Sequence, residues 1–111
     1  MQFLLLIYGD EAAELALTPD ERRAIVERHV GFSRRLRDEG RMVGGDALEP
    51  SSAAVTVGAG KATDGPFIET KEQLGGYYLV ECADREEAVE LARGVPDSPG
   101  QVVEVRPLAG M

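Results

Sequence analysis

Residues 3–8 read Phe-Leu-Leu-Leu-Ile-Tyr and residues 77–80 read Tyr-Tyr-Leu-Val. A β-strand turns successive side chains to opposite faces. Phe3, Leu5 and Ile7 therefore oppose Leu4, Leu6 and Tyr8, and Tyr77 and Leu79 oppose Tyr78 and Val80. Both faces of both runs are apolar, so each strand belongs to a sheet that is covered on both sides. Helices to do the covering are scarce. One is announced by Thr18-Pro19-Asp20-Glu21, with Thr18 as N-cap, Pro19 at the first helical position and Glu21 closing a capping box. Its stripe is Arg22, Ile25, His29, Phe32 and Leu36, and Gly40 ends it. The other starts at Asp84 with Glu87, carries Ala88, Leu91 and Ala92 inward, and ends at Gly94 and Pro96. Two helices cover one sheet face. The other face must be buried against something else, and a second copy of the chain is the simplest cover, since closed twofold dimers are the commonest oligomers.

The remaining segments fill in the order. Gln2–Tyr8 is the first strand, Met42–Leu48 and Ala53–Val57 follow the first helix around a turn at Pro50 and Ser51, and Gly58-Ala59-Gly60-Lys61 turns a hairpin back towards Thr63. Gly76–Glu81 is the second two-sided strand and Gln101–Arg106 the last. The order β-α-β, hairpin insertion, β-α-β predicts an α+β chain on the split βαβ, ferredoxin-like plan. Two such sheets packed face to face give a dimeric α/β barrel. At 111 residues, with no linker or low-complexity tract, residues 1–111 are expected to form one domain.

Charge and cysteine usage narrow the function. Asp and Glu outnumber Lys and Arg by 20 to 12, for a net charge of −8, and such a field repels phosphate backbones, which argues against nucleic-acid binding. The apolar run at the start is too short to span a membrane and has no basic flank of a signal peptide. Cys82 is the lone cysteine, which excludes an intrachain disulfide and fits a cytoplasmic protein. At the end of a buried strand, Cys82 reads as structural.

The densest cluster of unusual residues is Thr63-Asp-Gly-Pro-Phe-Ile-Glu-Thr-Lys-Glu-Gln-Leu-Gly-Gly-Tyr-Tyr78. Pro66 holds Gly65 out of the helical region, and the paired glycines Gly75 and Gly76 permit close backbone approach. The segment is a shaped loop feeding a buried strand. Its Asp64-Gly65-Pro66-Phe67 and Glu69–Tyr77 block, with Leu5–Asp10, Gly44-Gly45 before Leu48, and Val103–Pro107, resembles the DGPF-type branch of the YCII-related family over essentially the whole chain. The resemblance implies the ferredoxin-like dimeric fold and an active-site His–Asp pair in a cleft, which map onto His29 and Asp64. It also brings a possible association with extracytoplasmic-function sigma factors.

Read from the residues, His29 is the sole histidine and lies between Ile25 and Phe32 on the stripe facing the sheet. Desolvation there lowers its pKa unless a carboxylate is near. It is either a general base or a core-edge histidine satisfied by one carbonyl. Asp64 is either its orienting partner in proton abstraction or the acceptor of a local Asx-turn. Tyr8, Phe67 and Tyr77 are candidates to line an aromatic pocket and equally candidates for core or dimer interface. Lys71 is either part of a lid or a solvated turn. Asp10, Glu11 and Glu14 lack the histidine or cysteine support of a metal site. No phosphate loop, Ser-His-Asp order or nucleotide fingerprint occurs, so no cofactor is expected. Two functions stay open. One is a cofactor-free lyase- or isomerase-like enzyme using His29 and Asp64. The other is a non-enzymatic ligand-sensing or regulatory accessory protein.

Overall fold

The computed structural model describes residues 1–110. In chain order these form strand β1 (Gln2–Asp10), helices α1 (Glu11–Leu15) and α2 (Pro19–Asp38), strand β2 (Met42–Ala47), a 3-10 turn (Ser51–Ala53), strands β3 (Val55–Gly58), β4 (Lys61–Asp64) and β5 (Glu72–Glu81), helix α3 (Arg85–Arg93) and strand β6 (Val102–Pro107). The main sheet has the order β2-β5-β1-β6 with all neighbours antiparallel, and β3 and β4 form a separate two-stranded ribbon. This is a mixed α+β architecture compatible with the ferredoxin-like plan, in which each βαβ unit leaves a gap that a strand of the other unit fills.

The helix boundaries follow local chemistry. Thr18 Oγ1 accepts from the Glu21 amide at 3.1 Å, and the Glu21 carboxylate accepts from the Thr18 amide at 2.9 Å. This closes the capping box at the start of α2. At its end Gly40 takes φ +72°, its amide bonds the Arg37 carbonyl at 3.0 Å, and the Arg41 amide bonds the Leu36 carbonyl at 2.8 Å. That pair of bonds is a Schellman motif. Asp84 caps α3 through the Glu87 amide at 2.9 Å. Helix α1 was not expected from the sequence. At five residues it is too short to show a periodicity, but Asp10 caps it through the Ala13 amide at 3.2 Å. The carboxylate of Glu11 accepts from the Ser51 amide at 2.8 Å and from its hydroxyl, tying the 3-10 turn to α1.

Strand β5 begins at Glu72, four residues before the expected Gly76, because its ladder with β1 continues past an irregularity. Ile7 pairs with Gly76 and Tyr8 with Leu74, so Gly75 is the extra residue of a β-bulge. The ribbon turns through Ala59 and Gly60, both at positive φ, with Gly58 paired to Lys61. Two positive φ values in a two-residue loop match the twist of the flanking strands.

The core lies between the sheet and the two longer helices. Phe3 and Leu5 of β1, Tyr78 and Val80 of β5, Phe32 and Leu36 of α2 and Ala88 of α3 are buried in it together with Cys82 and Val95. Leu4, Leu6, Tyr8, Tyr77 and Leu79 alternate with these core strand residues, so they point from the opposite face, where they are half-buried. Leu4 is registered with Leu79 and Leu6 with Tyr77. The doubly apolar strands thus have one face covered by helices within the chain, as the burial count required.

Candidate active site

The long helix α2 presents two adjacent stripes. Phe32 and Leu36 enter the core, while Val26, Val30, Ser33 and Arg37 line a cavity of about 310 Å³. His29 sits where the stripes meet and lines the cavity as well. Opposite α2, the walls come from Ile7 of β1, from Gly45 and Asp46 of β2 and from Gly76 and Tyr78 of β5. Glycine makes this possible at one point. A Cβ on Gly45 would sit 2.8 Å from the Tyr77 carbonyl oxygen and 2.8 Å from Cδ1 of the Tyr78 ring, closer than packed atoms tolerate. The bare backbone of β2 makes room there for the Tyr78 ring.

Tyr78 in turn holds His29. The imidazole Nδ1 and the Tyr78 hydroxyl are 2.7 Å apart, and the two rings lie 5.9 Å apart between centroids with planes 19° from parallel. Phe32 packs edge-on against the other side of Tyr78 at 5.2 Å. Ser33, one turn after His29, donates its hydroxyl proton to the His29 carbonyl at 2.7 Å. Either the Nδ1–H of His29 donates to the Tyr78 oxygen or the Tyr78 hydroxyl donates to Nδ1, according to the imidazole tautomer. In the Nδ1–H tautomer the Nε2 lone pair is free to take a proton.

The electrostatics favour the neutral ring. Burial lowers the His29 pKa below the ordinary imidazole value of 6.5, and the positive charge of Arg28 lowers it further. At neutral pH the ring is an uncharged base. Burial pushes the Tyr78 phenol up, opposed by the Ser33 hydroxyl and by Arg37. Glu14 at the end of α1 also lines the cavity. Its carboxyl is raised above the usual range by burial, and the neighbouring Glu11 and Asp10 add to the rise, against a hydrogen bond from Ser98. Neutral imidazole and a raised carboxyl in one cavity are the pairing that acid–base chemistry uses.

The expected site residues fall in different places. Asp64 ends β4, exposed, across from Val55, and does not line the cavity. The single chain does not bring Asp64 to His29, whose side-chain partner is Tyr78. The loop after Asp64 holds itself together. Gly65 takes φ +102° and donates to the Ala54 carbonyl at 2.7 Å, and Thr56 Oγ1 donates to the Gly65 carbonyl at 2.8 Å. Gln73 clamps the Ile68 and Thr70 carbonyls at 2.8 and 3.1 Å. Phe67 projects from it, 83 % exposed. Lys71 reaches Asp10 Oδ2 at 3.4 Å across an exposed surface. Tyr8 belongs to the open sheet face. Tyr77 lines the cavity, while strand alternation aims its ring to the opposite face. Sequence reasoning missed Ser33, Arg37, Asp46, Glu14 and Tyr78. For two of them a signal existed, since Ser33 and Arg37 lie four and eight residues after His29 on one helical face.

Among the described residues no three of His, Cys, Asp and Glu converge as a metal site, and no helix is long and apolar enough to cross a membrane. The fold and cavity define a small α+β protein with a histidine-bearing cleft between its long helix and its sheet. The family profile of the YCII-related domain matches residues 1–111, and the chain belongs to that family. It is also 36 % identical, over 98 % of its own length and 93 % of the relative's, to uncharacterized protein R00369 of Rhizobium meliloti (strain 1021).

Proposed function

We propose that the cavity under α2 binds a small organic molecule and that His29 Nε2 takes a proton from it, in lyase- or isomerase-type chemistry. The observation that carries the reading is the 2.7 Å bond from His29 Nδ1 to Tyr78. It fixes a neutral imidazole at the wall of a cavity of ligand size. In this reading Glu14, with its raised carboxyl, is the complementary acid. The DGPF-type branch is the part of the family in which we place the chain, on the Asp64–Phe67 and Glu69–Tyr77 block.

The working unit in this proposal is a homodimer joined through the open sheet face, where Leu4, Leu6, Tyr8, Tyr77 and Leu79 form a continuous apolar surface. Any contribution of Asp64 to the proton transfer then falls to a hairpin supplied by the second copy.

Proton abstraction leaves a record in heavy water. A panel of small ketones, lactones and hydroxylated arenes, incubated with the protein in D₂O and followed by proton NMR, should show loss of the acidic C–H signal for at least one compound. His29→Gln should reduce that exchange by about 10²-fold or more, the usual contribution of a general base. Exchange that is equal in the two proteins for every compound would rule out His29 as the base. Binding without exchange would favour the ligand-sensing alternative, including a role beside a sigma factor.

A further inference from the structure

The cavity is polarised along its length. Eleven residues separate Val26 from Arg37, about 16 Å of helix. The Glu14 end adjoins the start of α2, because Arg22 Nη2 donates to the Glu14 carbonyl at 3.4 Å. Asp46 lies four residues into β2, about 13 Å from Met42 and back towards the middle of α2. Arg37, exposed to solvent, lines the other end. It makes no ion pair among the described residues and, His29 apart, is the only basic side chain among those lining the cavity. Its side chain leans back along the helix, as helical side chains do, and its charge is felt at the Tyr78 phenol. Between the ends the lining is apolar, from Ile7, Val26, Val30 and Met42.

We infer that the ligand is a small carboxylic acid with a ring-sized apolar body, its carboxylate held by Arg37 and its body lying along Val26, Val30, Ile7 and Met42 beside His29. The inference rests on the cavity being a ligand site, as proposed above, and names the class of ligand. Arg37 is exposed at the cavity and has no ion-pair partner among the described residues, and the planar fork of arginine matches a carboxylate. The volume sets the size. A cavity of about 150 Å³ takes benzene, so about 310 Å³ has room for one substituted ring. With the carboxylate on Arg37, the apolar body extends towards His29, which lines the same cavity.

Benzoate and its neutral isostere benzamide are the probes, followed by NMR of the His29 ring and the backbone amides of the whole chain. Benzoate should bind at least about tenfold more tightly than benzamide, the effect of one charge-assisted pair. Arg37→Gln should remove that preference and leave benzamide affinity unchanged. Arg85→Gln, which removes another unpaired arginine outside the cavity, should keep the preference. Amide spectra confirm that each variant is folded. If both probes move His29 in the wild type with equal affinity, or if Arg37→Gln keeps the preference, the assigned ligand class is wrong while the cavity remains a ligand site. If neither probe moves His29 up to its solubility limit, both the ligand class and the cavity reading fall.

Discussion

Phe32→Ala is expected to destabilise the fold by about 3–5 kcal/mol. The ring is 3 % exposed, so truncation both removes a large apolar burial and leaves a cavity that its neighbours fill poorly. Those neighbours are specific. Tyr78 meets the ring edge-on at 5.2 Å, and the Arg35 guanidinium lies 5.4 Å from its centre. Arg34, two positions on, is exposed and makes no ion pair or side-chain hydrogen bond among the described residues, so Arg34→Ala should change stability by less than about 0.5 kcal/mol. Denaturant melts of the two variants check which helical face is inside. Comparable losses would mean that α2 has been oriented wrongly and that His29 faces solvent. Because Phe32 buttresses Tyr78, the same substitution should also loosen the tyrosine that holds His29.

The second large effect is on assembly. Sedimentation or light scattering at micromolar concentration should return about twice the 11.9 kDa chain mass, and Leu6→Lys should return the single chain. Leu6 is central on the open face, registered with Tyr77 on one side and Glu104 on the other, so a lysine there places a charge in the middle of the proposed interface. The core of each subunit should survive, since Leu6 points away from Phe3 and Leu5. A wild-type protein that runs as a monomer would show that the apolar face stays wet, and the barrel would go with it.

Much of the fold was legible because its signals are local. The Thr18 box, Gly40 after α2, the Asp84 cap and the Gly58–Lys61 turn each depend on a few consecutive residues whose hydrogen bonds satisfy backbone groups at an element's end. The site was less legible for a reason built into the strands. In a strand apolar on both sides, alternation cannot say which side takes the helices. Sequence reasoning therefore names Tyr8 and Tyr77 as pocket candidates and not Tyr78, and only the packed core distinguishes them. The bond from His29 to Tyr78 spans 49 positions, a distance no motif spacing encodes. The Asp64–Phe67 loop drew attention because glycine and proline concentrate there, yet its own hydrogen bonds show those residues turning the chain between the ribbon and β5. The bare strand at Gly45 has a different role, making room for the tyrosine at the cavity.

The lowered His29 pKa also carries a sign for stability. The unfolded chain titrates near 6.5 and the folded chain lower. Stability is therefore fully present above 6.5 and is lost as pH falls through the folded value, where the half-buried ring must take a charge. His29→Gln should flatten that part of the pH profile.

The most direct test of the account is nitrogen-15 NMR titration of this single histidine, in the wild type and in Asp64→Asn. The proposed base role predicts the Nδ1–H tautomer at neutral pH and a pKa below 6.5, with a response to Asp64→Asn only where a second copy supplies that carboxylate. An Nε2–H tautomer would contradict the base role, because Nε2 would already carry a proton, and a pKa at or above 6.5 would contradict the desolvated ring.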